Sequence, residues 1–140
     1  MKFMIIVKAT PDSEAGRFPP GSEQMFEAMA NYHEDLSRAG VLLDGSGLQP
    51  SSKGWRIRYE GDTRRVIDGP FTESKELIAG YTLIQVRSRD EALEWSRRFP
   101  NPVGIDQPAE IEVRQLYEME DFKELAQPGT IARFKQMGME

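Results

Sequence analysis

The chain opens on an unbroken apolar run, Phe3-Met4-Ile5-Ile6-Val7, the pattern of a strand covered on both faces. Glycine and proline then crowd positions 11–21 (Pro11, Gly16, Pro19, Pro20, Gly21), which reads as a loop. Ser22 can cap a helix in which Met25, Met29, Tyr32 and Leu36 recur at helical spacing, and Gly40 ends it. Val41-Leu42-Leu43 starts a second strand that continues irregularly through Gly45 and Gly47 to Leu48. Trp55, Ile57 and Tyr59 alternate with Arg56 and Arg58, which predicts a half-buried strand. Glu60-Gly61-Asp62 turns it into a hairpin partner over 64–68. Asp68-Gly69-Pro70 breaks that ladder, because proline has no N–H to donate. Residues 81–86 form another apolar-rich strand. Ser88 can cap a second helix, with Asp90 and Glu91 favourable in its first turn, running through Ala92, Trp95 and Phe99 towards Pro100. A loop at 102–108 leads to the last strand, 110–116.

Strand, helix, hairpin strands, strand, helix, strand is the order of a ferredoxin-like α+β fold: an antiparallel sheet with two helices on one face and an extra β-hairpin. Two helices cover one face only. Yet residues 81–86 place Leu83 on one side and Ile84 and Val86 on the other, so the second face needs burial too. A homodimer packing sheet against sheet is the simplest solution. Residues 1–117 make up this domain. Residues 118–140 change in composition: Glu118-Met119-Glu120-Asp121-Phe122 is acidic, Pro128-Gly129 interrupts, and the helical spacing beyond is weak. This C-terminal segment is expected to be a short helix, partly ordered, or packed on a partner subunit.

The run Asp68-Gly69-Pro70-Phe71-Thr72-Glu73-Ser74-Lys75-Glu76, closed by Gly80-Tyr81, resembles the signature of the YCII-related family, in particular its DGPF branch. The opening strand, Ala39-Gly40-Val41-Leu42-Leu43 and Ile111-Glu112-Val113-Arg114 fit in order, so the resemblance spans 1–117. It implies a dimeric α/β barrel, a fold similar to monooxygenase-like and muconolactone-isomerase-like barrels.

Composition narrows the function. At 140 residues the chain buries roughly two-thirds of its unfolded surface without staples. Eighteen basic against 23 acidic residues leave a formal charge of −5, which argues against non-specific nucleic-acid binding. With no cysteine and one histidine, thiolate chemistry is excluded and no metal site is expected. No P-loop or dinucleotide-binding glycine pattern occurs, Gly45-Ser46-Gly47 lacking the third glycine, so no cofactor is expected. No run approaches the ~20 apolar residues of a membrane span, and a cytoplasmic location is the expectation.

His33 is the sole histidine, on the flank of its helix's apolar stripe, where a proton-transfer group sits at the helix–sheet boundary. The family resemblance implies a helix histidine working with an aspartate, and His33 matches it by position. Asp68 is the candidate partner, since a carboxylate receiving the imidazole N–H fixes the tautomer and raises basicity. The plainer alternatives are a boundary histidine bonded to a carbonyl, and an Asp68 that serves turn chemistry. Asp44 and Asp35 are weaker partners. Glu112 and Arg114 share one face of the last strand and, with Arg58, could bind an anionic ligand or form an ordinary solvated surface. Phe71 anchors its segment or stacks on a ligand. Two functions follow. One is a small cofactor-independent enzyme performing proton transfer, elimination or isomerisation on a small aromatic or carbonyl compound. The other, which the resemblance implies through relatives that accompany transcription regulators, is a non-catalytic ligand-binding or accessory dimer.

Overall fold

A computed structural model describes residues 1–140, the side chain of Ser74 excepted. Strand β1 (Lys2–Lys8) lies inside a four-stranded antiparallel sheet, between β5 (Ile78–Gln85) and β6 (Ile111–Gln115). The strand β2 (Leu42–Gly47) forms the edge beyond β5. The two interior strands are the two apolar runs. Helices α2 (Ser22–Arg38) and α3 (Arg89–Arg97) lie on one face, which gives the ferredoxin-like α+β fold. Phe3, Ile5 and Ile84 of the sheet, with Val86 just past β5, meet Tyr32 and Leu36 of α2 and Ala92 of α3. Ile5, Leu36 and Ile84 are fully buried, each stabilising the fold by about 1.5–3 kcal/mol. Tyr32 donates its hydroxyl to the Trp95 carbonyl at 2.7 Å and stands edge-on to Phe99, which staples α2 to α3. Burial pushes the Tyr32 phenol up to about 12, against an opposing pull from Arg98.

The hairpin of β3 (Trp55–Glu60) and β4 (Thr63–Asp68) is a separate two-stranded sheet. Its β3 strand was expected to be half-buried, but Trp55 and Tyr59 are 63% and 68% exposed. Alternation marks an apolar face correctly; it does not say whether this chain covers that face.

Three local differences have plain causes. Residues 11–21 are not all loop: Pro11–Glu14 forms a single helical turn, α1, because Thr10 and Ser13 make a reciprocal capping box around Pro11 at the first position. Gly21, at φ 93°, takes the N-cap of α2 in place of Ser22, whose hydroxyl donates to the Pro19 carbonyl at 2.6 Å. The C-terminal segment forms a 3₁₀ turn at Met119–Phe122 and helix α4 (Pro128–Gln136), with Tyr117 against Phe122 and Lys2 Nζ donating to the Glu140 carbonyl oxygen. No helix among the described residues is long and apolar enough to cross a membrane.

Candidate functional site

The core occupies only part of the space between α2 and the sheet. Antiparallel pairing sets Ile5 opposite Thr82 and Val7 opposite Gly80 in β1–β5, and Gly45 opposite Thr82 and Gly47 opposite Gly80 in β2–β5. Paired residues share a face, so towards β2 the sheet presents glycine where it elsewhere presents isoleucine and phenylalanine. Above this stretch run Phe26, Met29, Ala30 and His33, one face of the first half of α2. A cleft of about 920 Å³ fills the difference. That is the size of a small-molecule site, and its walls are largely apolar with a few polar groups. A smaller cavity of about 180 Å³, lined by 99–102 and 109–111, holds none of the candidate side chains.

His33 lines the cleft, and both of its ring nitrogens are engaged. Nδ1 lies 2.7 Å from the Met29 carbonyl one turn back, and Nε2 lies 2.8 Å from Thr82 Oγ1. A carbonyl only accepts, so the first contact places the proton of the neutral ring on Nδ1. Nε2 is then the unprotonated, basic nitrogen, accepting from the Thr82 hydroxyl. Thr82 is 2% exposed. An atom in the place of a Gly45 Cβ would stand 3.4 Å from Nε2, so the missing side chain leaves room beside the basic nitrogen.

Glu14 ties together two segments whose neighbouring residues line the cleft. Its carboxylate accepts from the Ser51 backbone N–H at 3.0 Å and from the Ser51 hydroxyl. Ser51 Oγ in turn accepts from the Phe71 backbone N–H at 3.0 Å. Gly69 donates its N–H to the Gly54 carbonyl, and a Cβ on Gly69 would run into the Ser51 carbonyl oxygen. Phe71 packs beneath the Arg56 guanidinium, 3.8 Å above the ring centroid. The Asp68–Phe71 signature thus fastens the base of the hairpin to the turn Ser51–Lys53, and Pro50, Ser52 and Lys53 beside it line the cleft.

The structure does not bring Asp68 to His33. Asp68 is exposed at the end of β4, opposite Trp55, and no ion pair joins it to His33 among the described residues. Within this chain the ring nitrogens of His33 meet the Met29 carbonyl and the Thr82 hydroxyl instead. Arg58 is exposed on the hairpin, opposite Arg65. Glu112 and Arg114 pair with each other at 3.3 Å, and Lys8 meets Glu112 at 3.0 Å. These hydrogen bonds from Lys8 and Arg114 hold the Glu112 carboxyl below its usual range. Glu112 and Arg114 register with Ile6 and Met4, on the sheet face away from His33. None of Asp68, Arg58, Phe71, Glu112 or Arg114 lines the cleft. Reading the sequence missed Thr82, a threonine in an apolar strand, whose place beside His33 depends on its register with Gly45.

A ferredoxin-like sheet with a ligand-sized cleft on its helix side, and a histidine inside, defines the class. Within that class the YCII-related domain model matches residues 1–120, and the chain belongs to that family. An uncharacterised protein of Rhizobium meliloti (strain 1021) is 29% identical over 96 residues, 69% of this chain and 77% of the relative. Among solved structures, 5-chloro-2-hydroxyhydroquinone dehydrochlorinase (TftG) from Burkholderia phenoliruptrix AC1100, in complex with 2,5-dihydroxybenzoquinone, is similar over 84% of this chain and 95% of that one. Its TM-score is 0.42 and its sequence identity 16%.

Proposed function

We propose that this protein is a cofactor-independent acid–base enzyme acting on a small organic molecule, with His33 as its proton-transfer group. The observation that carries the reading is that His33 Nε2 is the basic nitrogen of a tautomer fixed by the Met29 carbonyl, inside a cleft sized for a ligand. On binding, the Thr82 hydroxyl turns from Nε2 to an oxygen of the ligand, and Nε2 takes a proton from the ligand's acidic C–H or O–H. The imidazolium stays bonded to the Met29 carbonyl through Nδ1–H. Delivery of a proton from Nε2, after exchange with solvent, to another atom is isomerisation; delivery to a departing group is elimination. A positioned base of this kind accounts for about 10²–10⁴-fold in rate.

The protein is further proposed to work as a homodimer. Half-buried Met4 and Leu83 on the sheet face opposite α2 and α3 support that reading, together with the exposed apolar hairpin residues Trp55, Ile57, Tyr59 and Val66.

The catalytic reading is tested by deuterium incorporation from D₂O into a panel of enolisable ketones and hydroxylated aromatics, followed by NMR. At least one compound should exchange faster than in buffer. His33→Ala should lose at least ~10²-fold of that rate, and Thr82→Val a smaller part. Equal exchange in wild type and His33→Ala would overturn the assignment. No exchange across the panel would favour a non-catalytic binding module.

A further inference from the structure

We infer that the cleft selects flat ligands: it takes a planar, hydroxylated ring lying on a backbone floor beneath Phe26 and Met29. The inference rests on the proposed use of the cleft and adds the substrate class.

Glycine inside a strand weakens it, since it packs no side chain and loses the most conformational freedom. Three glycines nevertheless meet at this end of the sheet. Gly80 is required by the backbone, because a Cβ there would come within 2.9 Å of the Ser46 carbonyl oxygen. Gly45 and Gly47 are not required. Neither has the positive φ that favours glycine, and a Cβ on Gly47 would meet nothing nearer than the Ala79 carbonyl at 4.0 Å. A Cβ on Gly45 would meet only the His33 ring at 3.4–3.6 Å and the Tyr81 carbonyl at 3.6 Å, ordinary contacts. Both positions are in register with cleft-lining residues of β5, Gly45 with Thr82 and Gly47 with Gly80. The register irregularity of β2 lies at Leu42–Asp44, before both glycines, and close approach of a ligand accounts for glycine at 45 and 47 together.

The shape follows from the register. Gly45, Gly47 and Gly80 make a floor of bare backbone, bordered by the side chains of Thr82 and Val7. The carbons of a flat ring rest about 3.5–4 Å above such a surface, in the space a Cβ would fill. The Met29 thioether and the Phe26 ring line the opposite wall and favour an aromatic face. A hydroxyl on the ring's edge then meets Thr82 and His33 Nε2. A puckered saturated ring carries axial hydrogens on both faces and does not lie flat.

The test compares catechol with cis-cyclohexane-1,2-diol, which carries the same two hydroxyls on a puckered ring. Both are titrated into protein labelled with ¹³C at the methionine methyls, where Met25 and Met29 report on the cleft. Catechol should bind at least tenfold tighter than the diol. Gly47→Val should weaken catechol at least tenfold while leaving Tm unchanged or raised, since valine suits a strand. Should Gly47→Val not fold, Gly47→Ala is expected to show the same separation in smaller measure. Equal binding of the two probes with Met29 shifted by both, or unaltered catechol affinity in the folded Gly47 variants, would overturn the flat floor and leave His33 in its proposed role. No shift at Met25 or Met29 with either probe would overturn the ligand cleft itself, and the inference with it.

Discussion

Glu14 and Ser51, 37 residues apart, are joined twice, the Glu14 carboxylate accepting from both the backbone N–H and the hydroxyl of Ser51. Ser51 also receives the Phe71 N–H, so one serine couples the turn at α1, the 3₁₀ turn and the family signature. Charge-assisted hydrogen bonds of this kind contribute about 1.5–3 kcal/mol. Glu14→Ala and Ser51→Ala should each destabilise the protein by about that much in urea unfolding, and the double variant by clearly less than the sum. Full additivity would show that the two residues do not act on one another.

Gly69 and Gly129 give opposite expectations for the same substitution. A Cβ on Gly69 collides with backbone at Ser51, whereas one on Gly129, in the first turn of α4, meets nothing within 4 Å. Gly69→Ala should destabilise by at least ~2 kcal/mol and loosen the hairpin from the turn at Ser51–Lys53. Gly129→Ala should stabilise by roughly 0.4–1 kcal/mol through the unfolded chain and helix propensity. Similar melting temperatures for the two variants would contradict the assigned role of the signature.

Tyr32 sets an alkaline limit. Burial lifts its folded value from 10.0 to about 12. Below pH 10 the phenol is protonated in folded and unfolded chains alike and gives no pH dependence. Between pH 10 and about 12 the unfolded chain releases a proton that the folded chain keeps, so stability falls as pH rises, by about 2–3 kcal/mol at most. Tyr32→Phe should start less stable, having lost the bond to the Trp95 carbonyl, and show a flatter decline over that window. Parallel declines would assign the alkaline loss to other groups.

The proposed homodimer has a direct readout. Sedimentation velocity at micromolar concentration should give one species near twice the 15.9 kDa chain mass. Arg substitution at Leu83 should shift it towards monomer, because a charge introduced into an apolar sheet interface is desolvated without a partner. A monomer at all concentrations would contradict the proposal.

The architecture was legible where periodicity carries it. The stripe through Tyr32 and Leu36, the two doubly apolar strands and the Ser88 cap, which accepts from the Glu91 N–H at 3.1 Å, all stand where the pattern places them. Of the proposed site, the sequence marks one residue. His33 is marked by its chemistry and its place on the stripe's flank, but its partners are a carbonyl, silent in any sequence, and a threonine whose significance depends on strand register. Aspartate serves both turns and catalysis, so 68–71 reads as candidate chemistry in the sequence; in the structure its tight contact is Gly69 against Ser51. Gly45 and Gly47 carried a signal, two glycines at i and i+2 on one strand face, that became meaningful once Thr82 and Gly80 stood opposite.

The most direct test of the proposed chemistry is the tautomer of His33, read from the imidazole nitrogens of uniformly ¹⁵N-labelled protein by long-range ¹H–¹⁵N correlation under conditions where the ring is neutral. As the chain's single histidine, it needs no assignment. The expected spectrum has the proton on Nδ1 and a bare Nε2, as the Met29 carbonyl requires, and Thr82→Val should leave that tautomer in place. A proton on Nε2 would make His33 a donor to Thr82, leave no basic nitrogen beside Gly45, and contradict its role as the base.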